Sequence, residues 1–485
     1  MKKVIYLAEA LPGSGKTERL ITKLPTIVQS GKRIVYALPT NKLTKELEVR
    51  LRMAGVEARS INSDTTGAVV NNVEAALAEK ASDVVVITHE ALQRISPFLL
   101  RSWVLVLDEV PSISSCQSHN FSHNSYQNGL APFVHVDERG IASVLPDSKA
   151  ELEAIVKEGA SQSTFQKTTL EVFEALLDKD AVVEVDNLDR NMKRLVRIVA
   201  YKDYLSRFDQ AQEVHILANN VTRTLLGVHA KAQGWEFEDS QFTPTFEGYS
   251  CPVTIYPMVT GSRWSKSLCL TTPDGKVQDK WADGVQGKTL LDEVYRRIEG
   301  EPVLVFTHAW MDYEHPANGL SCPIDSRGLN HLRGFKAAAC FQHGNMSPDD
   351  LRSLETLSGM MGIKPEDIRL ALTYERFYES SLQCFLRTAI RDRDNQSQVS
   401  LFAQNEDMAQ HLRDCLGRTA IIDKSLAQDP YPRTKSNEVM AKRDIKKQAQ
   451  YLVLEQGMSR SEVAKLLAQP RGTILRWTKG LSKVA

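Results

Sequence analysis

Apolar residues in this chain follow two rhythms. Short, mostly apolar runs recur at Val4 to Ala8, Ile34 to Leu38, Val84 to Ile87, Val104 to Leu107, Val214 to Leu217, Val303 to Phe306 and Val399 to Ala403. Runs of this length without polar alternation predict strands buried on both faces, as in parallel sheets. Between them apolar residues return every three or four positions, as at Leu20, Ile21, Leu24, Ile27 and Val28, or at Leu43, Leu47 and Leu51. That spacing predicts amphipathic helices laid on the sheet faces. Strand and helix in alternation predict an α/β fold.

Some stretches break the rhythm. Ser112 to Asn128 is rich in Ser, Asn, Gln and His and reads as a loop or an insertion, and Ser148 to Leu177 reads as helix decorating the first domain. Gly234 to Pro252 is loosely patterned and marks a boundary near residue 245, and Asp429-Pro430-Tyr431-Pro432-Arg433 reads as a linker. A chain of 485 residues is too long for one core. The expected domains are therefore 1–245, with a helical or loop insertion around 112–212, then 246–432, then 433–485.

Composition removes some function classes. No apolar stretch approaches the ~20 residues needed to cross a bilayer, so no membrane partner is expected. The seven cysteines are scattered, odd in number and lack a Cys-x-x-Cys pair, which argues against a disulfide framework and predicts a cytoplasmic setting. The formal net charge of zero hides an asymmetry: Arg433 to Ala485 carries twelve Lys/Arg against four Asp/Glu, so the rest is net acidic. A basic end on an acidic body points to nucleic acid.

Chemistry enters at Ala10-Leu11-Pro12-Gly13-Ser14-Gly15-Lys16-Thr17, between the first strand and the first helix. Strand, glycine loop and helix is the context of a phosphate-binding loop. Gly13, Ser14 and Gly15 would turn backbone N–H groups onto an anion, and the helix N-terminus would add its partial positive charge. Lys16 would reach the β- and γ-phosphates and the Thr17 hydroxyl would ligate Mg²⁺. These residues predict a nucleoside triphosphate ligand. Farther on, Val104 to Leu107 delivers Asp108 and Glu109 to the carboxyl edge of the sheet, where Asp108 would hold Mg²⁺ and Glu109 would polarise water. Cys116, His119 and His123, with His135 farther off, have short spacings that suit zinc. Only three ligands are local, however, and the stretch reads rather as a polar surface loop.

With Pro39-Thr40-Asn41 after the second strand, Ile87-Thr88-His89-Glu90-Ala91-Leu92 after the next, and Asp108-Glu109, the chain resembles superfamily 2 helicases, the group that includes DEAD-box and DEAH-box proteins. The resemblance implies two RecA-like P-loop domains with parallel sheets and ATP as the nucleotide. It implies that Pro39, Thr40 and Thr88 touch the nucleic-acid backbone. Ala218-Asn219-Asn220 stands where the family has motif III, which couples hydrolysis to domain movement, and Pro302 to His308 resembles motif IV. Arg327-Gly328-Leu329-Asn330 resembles motif V, with Gly328 allowing close approach and Asn330 bonding ribose or water. Gln383 to Arg391 resembles motif VI, whose arginines, here Arg387 and Arg391 with Arg393 as a competitor for the second, reach the γ-phosphate. The chain departs from the family at Val110-Pro111, at Asn330 in place of an acid and at Leu386 in place of glycine. Such divergent forms look most like helicases of phages and plasmids.

Past the linker, Ile445 to Glu455 predicts a helix. Ser459 with Glu462 predicts a capping box starting a second, and Arg471 to Trp477 predicts a third after the turn Ala468-Gln469-Pro470. This resembles the helix-turn-helix of resolvases and transposases. It implies that Ala464, Leu467, Ile474, Leu475 and Trp477 lie in or near a core and that Arg471, Thr473, Arg476 and Lys479 face DNA. A small helical protein-interaction domain is the alternative. The resulting expectation is an ATP- and Mg²⁺-dependent DNA helicase or translocase in phage or plasmid replication or recombination. A single strand would run through the motor, duplex would bind the terminal domain, and replication proteins would be further partners. The alternative is a sequence-specific initiator or regulator with an ATPase switch.

Overall fold

The computed structural model describes residues 3–64, 67–159, 165–187, 192–325, 330–433, 445–446, 448–453, 458–467 and 469–478. In chain order the strands begin with β1 (Val4–Leu7), β2 (Arg33–Leu38), β3 (Ala58–Ser60), β4 (Val84–Thr88) and β5 (Trp103–Asp108). An insert then contributes β6 (Ser114–Ser122), β7 (Val134–Val136), β8 (Ile141–Val144), β9 (Ala181–Val185) and β10 (Lys193–Tyr201), before β11 (Glu213–Leu217) and β12 (Glu236–Asp239). The second half supplies β13 (Val253–Val259), β14 (Val303–Thr307), β15 (Gly319–Pro323), β16 (Ala337–Cys340), β17 (Val399–Asn405) and β18 (Ala420–Ile422).

The first sheet has the order β12-β1-β11-β5-β2-β4-β3 and is parallel throughout. Its strands alternate between two cores. Val35, Ala37, Val85, Ile87, Leu105 and Leu107 point into one, and Ile34, Tyr36, Val84, Val86, Val104 and Val106 into the other. Both faces are covered, so the strand sequences carry no polar alternation. The second sheet, β15-β14-β16-β17-β13-β18, is likewise parallel. Two parallel sheets flanked by helices make the chain an α/β protein with two RecA-like sheets.

The insert corrects one expectation. Ser114–Ser122 is a strand, paired residue for residue with β10 from Ser114 opposite Tyr201 to Ser122 opposite Lys193. It is the edge of a five-stranded antiparallel sheet, β6-β10-β9-β8-β7. An edge strand needs one neighbour and no apolar outer face, so Ser, Gln and Asn serve there despite low strand propensity. The helices Lys149–Glu158 and Lys167–Leu177 form where the helical pattern of Ser148 to Leu177 placed them. They close a separate core around Phe133, Leu152, Phe173, Val183 and Val196.

Between β16 and β17 the helices Leu354–Met361 and Pro365–Thr373 bury Leu354, Leu357, Met361, Ile368 and Leu372 in the core that also holds Leu105 and Trp235 of the first half. A π-helix, Tyr374–Glu379, follows them.

Contacts within the chain divide it into one compact unit of Met1–Ser265 with Glu293–Gln428, and a second of Lys266–Asp292 with Asp429–Ala485. In the second unit the Gln286 amide donates to the Asp429 carbonyl at 3.0 Å and accepts from the Tyr431 N–H at 2.9 Å. Its helices Arg460–Leu466 and Arg471–Thr478 pack Val463, Ala464 and Ile474 against Ala449, and the capping box at Ser459 and Glu462 is formed. Leu475, expected in the core, is 48% exposed. Ile474 and Thr478, four apart, already fill the inner face, and Leu475 lies about 100° around the helix from Ile474.

Candidate active site

The phosphate loop leaves β1 and enters the helix Lys16–Gln29 through two left-handed glycines, Gly13 at φ 82° and Gly15 at φ 95°. A side chain at Gly13 would place its Cβ 3.0 Å from Arg391 Cγ, so the glycine also admits that arginine. The Ser14 N–H donates to the Leu11 carbonyl at 3.2 Å, and its buried hydroxyl has no hydrogen-bond partner. The Lys16 ammonium donates to the carbonyls of Ala10 and Leu11. The loop is braced from the side by Tyr249, whose buried hydroxyl donates to the Pro12 carbonyl at 2.6 Å.

The strand order places the acids. β11 lies between β1 and β5, with Leu217 opposite Asp108, so the loop, Asp108 and the chain after Leu217 emerge side by side. The Thr17 hydroxyl donates to Asp108 Oδ2 at 3.4 Å. Glu109 turns off the strand in the left-handed region at φ 66°, its N–H bonded to the Leu217 carbonyl at 3.2 Å. Non-glycine residues held there are uncommon and cluster at active sites. Burial raises the Asp108 carboxyl pKa, with Lys16 opposing. Burial also lowers the Lys16 ammonium to about 8, opposed by Asp108, Glu379 and Glu109.

Two arginines from the second half complete this site. Lys16, Thr17, Asp108, Glu109, Arg387 and Arg391 line one cavity of about 700 Å³, within the range of ligand sites. Arg387 is 5% exposed. Arg391 Nε is buried without a hydrogen-bond partner, and burial with the nearby charges of Arg387 and Arg333 depresses its pKa to about 9, leaving it charged at neutral pH. Arg393 lies on the outer side of the loop, donating to the Ser14 carbonyl at 3.4 Å. Of the two candidates for the second arginine, Arg391 is the one in the cavity with Lys16.

Other sequence candidates fall elsewhere. Leu38 and Thr88 are opposite residues of β2 and β4, which sets Pro39, Thr40 and Thr88 on one carboxyl edge. The Thr40 and Thr88 hydroxyls cap the helices Asn41–Met53 and His89–Arg94. Arg327 and Gly328 lie outside the described residues, as does the side chain of Asn330, whose backbone opens a short 3₁₀ turn. Arg471 and Arg476 are exposed and Thr473 half-buried on the terminal helix, while Lys479 is outside the described residues. Cys116 and His119 point to opposite faces of β6. Cys116 donates to the Ser353 hydroxyl at 3.7 Å, and His119 Nε2 is 3.4 Å from Glu171. Among the described residues no group of three or more His, Cys, Asp or Glu is arranged to hold a metal ion.

Sequence reasoning missed Tyr249, Glu375 and Glu379. The two glutamates line the cavity from the π-helix. Their spacing from Gln383 matches no motif, and only the fold brings them to the loop.

The residues present fit a nucleoside triphosphate with Mg²⁺. Ser14 Oγ and Arg391 Nε are buried donors awaiting an acceptor, the cavity carries Lys16 with two arginines, and Thr17 and Asp108 form an oxygen pair suited to a hard cation. Residues 2–125 match the DEAD/DEAH box helicase family. No curated protein matches the chain. Among solved structures the chain is similar to Xpd4 of S. tokodaii, with 14% identity and a TM-score of 0.46 over 87% of this chain and 96% of that one. It is similar to Mss116p, bound to ssRNA and AMP-PNP, with 10% identity and a TM-score of 0.29 over 98% and 82%. It is also similar to the helicase MrfA bound to DNA, with 12% identity and a TM-score of 0.33 over 87% and 48%. With TM-scores below 0.5, these likenesses set neither substrate nor mechanism.

Proposed function

We propose that this chain, which carries a DEAD/DEAH box helicase domain over residues 2–125, is an ATP-hydrolysing motor that translocates on or unwinds DNA. The observation that carries the reading is the divided site: Arg387 and Arg391 share one cavity with Lys16, Thr17, Asp108 and Glu109, which lie some 280 residues earlier or more. Such a site is complete only when both halves of the chain close on it.

In this reading the loop N–H groups and Lys16 hold the phosphates. Thr17 and Asp108 hold Mg²⁺, which when bound supplies positive charge to the phosphate oxygens. Glu109 orients water and accepts its proton. Arg387 and Arg391 meet charge spreading in the transition state, a contribution worth ~10³ to 10⁵ in rate where it has been measured. Loss of the γ-phosphate removes the anion that the arginines grip, freeing the halves to shift against a strand held at Pro39, Thr40 and Thr88. DNA is favoured over RNA by the resemblance of the terminal helices to a helix-turn-helix, whose second helix carries the exposed Arg471 and Arg476. Seven free cysteines suit a cytoplasmic setting, and a phage or plasmid replication role with replication proteins as partners fits the divergent motifs.

The test is ATP turnover with and without DNA, and strand displacement on a forked duplex, for wild type, Lys16→Ala and a chain ending at residue 432. Lys16→Ala is expected to lose DNA-stimulated hydrolysis and keep DNA binding. Wild-type turnover in that variant would sink the mechanism. Site-selective binding without displacement favours the initiator reading, which the same basic terminal unit supports.

A further inference from the structure

The Asn219 amide emerges from β11 beside the phosphate loop and donates to Glu379 Oε2 at 2.9 Å. The other oxygen of Glu379 is approached by the Gln383 amide at 3.4 Å, on the helix Ser380–Phe385 whose following turn carries Arg387. One carboxylate thus ties the edge of the first sheet to the segment that carries the arginines. A turn earlier, Glu375 Oε1 accepts the Leu225 N–H at 2.6 Å, at the start of the helix Leu225–Ala232. Both glutamates sit on a π-helix, a rare geometry that recurs at functional sites.

The place of Glu379 is costly for a residue that only braces the fold. It lines the cavity meant for phosphates, where a carboxylate repels the ligand. Burial raises its pKa, while the Lys16 charge favours the ionised form. Lys16 is in turn held charged in part by Glu379. A γ-phosphate would compete with Glu379 for the same ammonium.

We infer that Glu379 is a positioning residue that registers the γ-phosphate. Without a triphosphate it shares the cavity with Lys16 and ties Asn219 to the arginine segment. When the phosphate takes over Lys16, Glu379 is left beside like charge and its tie to Asn219 opens. The inference rests on the nucleotide-motor reading and adds a discrimination to it: the carboxylate penalises triphosphate more than diphosphate.

The test uses the full chain and calorimetric binding of AMP-PNP and ADP with Mg²⁺. Glu379→Gln keeps the volume and an acceptor for Asn219 but removes the charge. It is expected to tighten AMP-PNP binding about tenfold and ADP binding much less, a coupling of ordinary size. Equal changes for both ligands, or none, overturn the inference. Asn219→Ala cuts the tie and leaves the charge, and stays informative where Glu379→Gln fails to fold. Its stimulation of ATP turnover by DNA is expected to fall about tenfold, and an undiminished response overturns the inference. Wild-type protein that binds neither nucleotide overturns the motor reading itself, an outcome distinct from equal ligand ratios in wild type and variant.

Discussion

Glu375 and Lys16 face one cavity with pKa values displaced in opposite senses. Burial lifts the Glu375 carboxyl to about 7, above its ordinary value, so the folded protein holds that proton more tightly than the unfolded chain. The stability it contributes is complete below about pH 4.5 and is lost as pH rises through 7. Urea titrations of wild type and Glu375→Gln across that window are expected to diverge by on the order of 3 kcal/mol, with the variant flatter. Lys16 runs the other way. Its folded value of about 8 lies below the unfolded one, so burying the ammonium costs stability below pH 8, and that cost is relieved between pH 8 and 10.5. The difference between wild type and Lys16→Met, followed by urea midpoint, should shrink over that range. Gly13→Ala tests the loop itself. The left-handed backbone costs roughly 1–2 kcal/mol and the new methyl meets Arg391, so nucleotide affinity is expected to fall further than stability. Much of this site was legible because Lys16, Thr17, Asp108 and Glu109 are fixed by local strand–turn–helix grammar. Glu375, Glu379 and Tyr249 were not, since their roles arise from contacts across more than a hundred residues.

At the level of elements, the insert is clasped by an ionic cluster. Arg197 on β10 donates to Glu184 at 2.8 Å and grips Asp186 with two bonds of 2.9 and 2.6 Å. Glu184 also accepts from Ser353 at 3.0 Å and from Thr356, and Asp186 accepts from Arg352 at 3.0 Å. Arg197 and Glu184 are almost fully buried, so removing one leaves a desolvated charge unpaired. Arg197→Ala is expected to cost about 3 to 5 kcal/mol, read by denaturant unfolding, whereas breaking an exposed pair such as Lys45 and Asp64 should change stability far less. The sheet strands at Val84 to Ile87 and Val104 to Leu107 announced themselves because burial on both faces leaves no polar positions. The strand Ser114–Ser122 did not, because its order comes from its partner β10. Leu475 was misplaced for a related reason: a two-turn helix needs few inward residues, and composition does not say which.

For the whole molecule, the helices Leu354–Met361 and Pro365–Thr373 tie the two halves of the larger unit thermodynamically, since they belong in sequence to the second sheet and in packing to the core of the first. Leu357→Ala is expected to destabilise by about 2 to 5 kcal/mol and to speed amide hydrogen exchange in β5 as well as in the substituted helix. Exchange confined to the helix would mean that the shared core is not cooperative. The insert has the opposite character. It begins and ends on two adjacent strands, with Ser114 opposite Tyr201 and the Lys202 N–H bonded to the Ile113 carbonyl at 2.8 Å. Its two ends therefore lie only ~5 Å apart, the separation of paired residues in an antiparallel ladder. A module with adjoining ends can be exchanged without moving the sheet that bears it. A short turn joining Ile113 to Lys202, or an unrelated hairpin spliced there, should leave β5 and β11 in register, making this stalk a grafting port that opens beside Asp108 and Glu109.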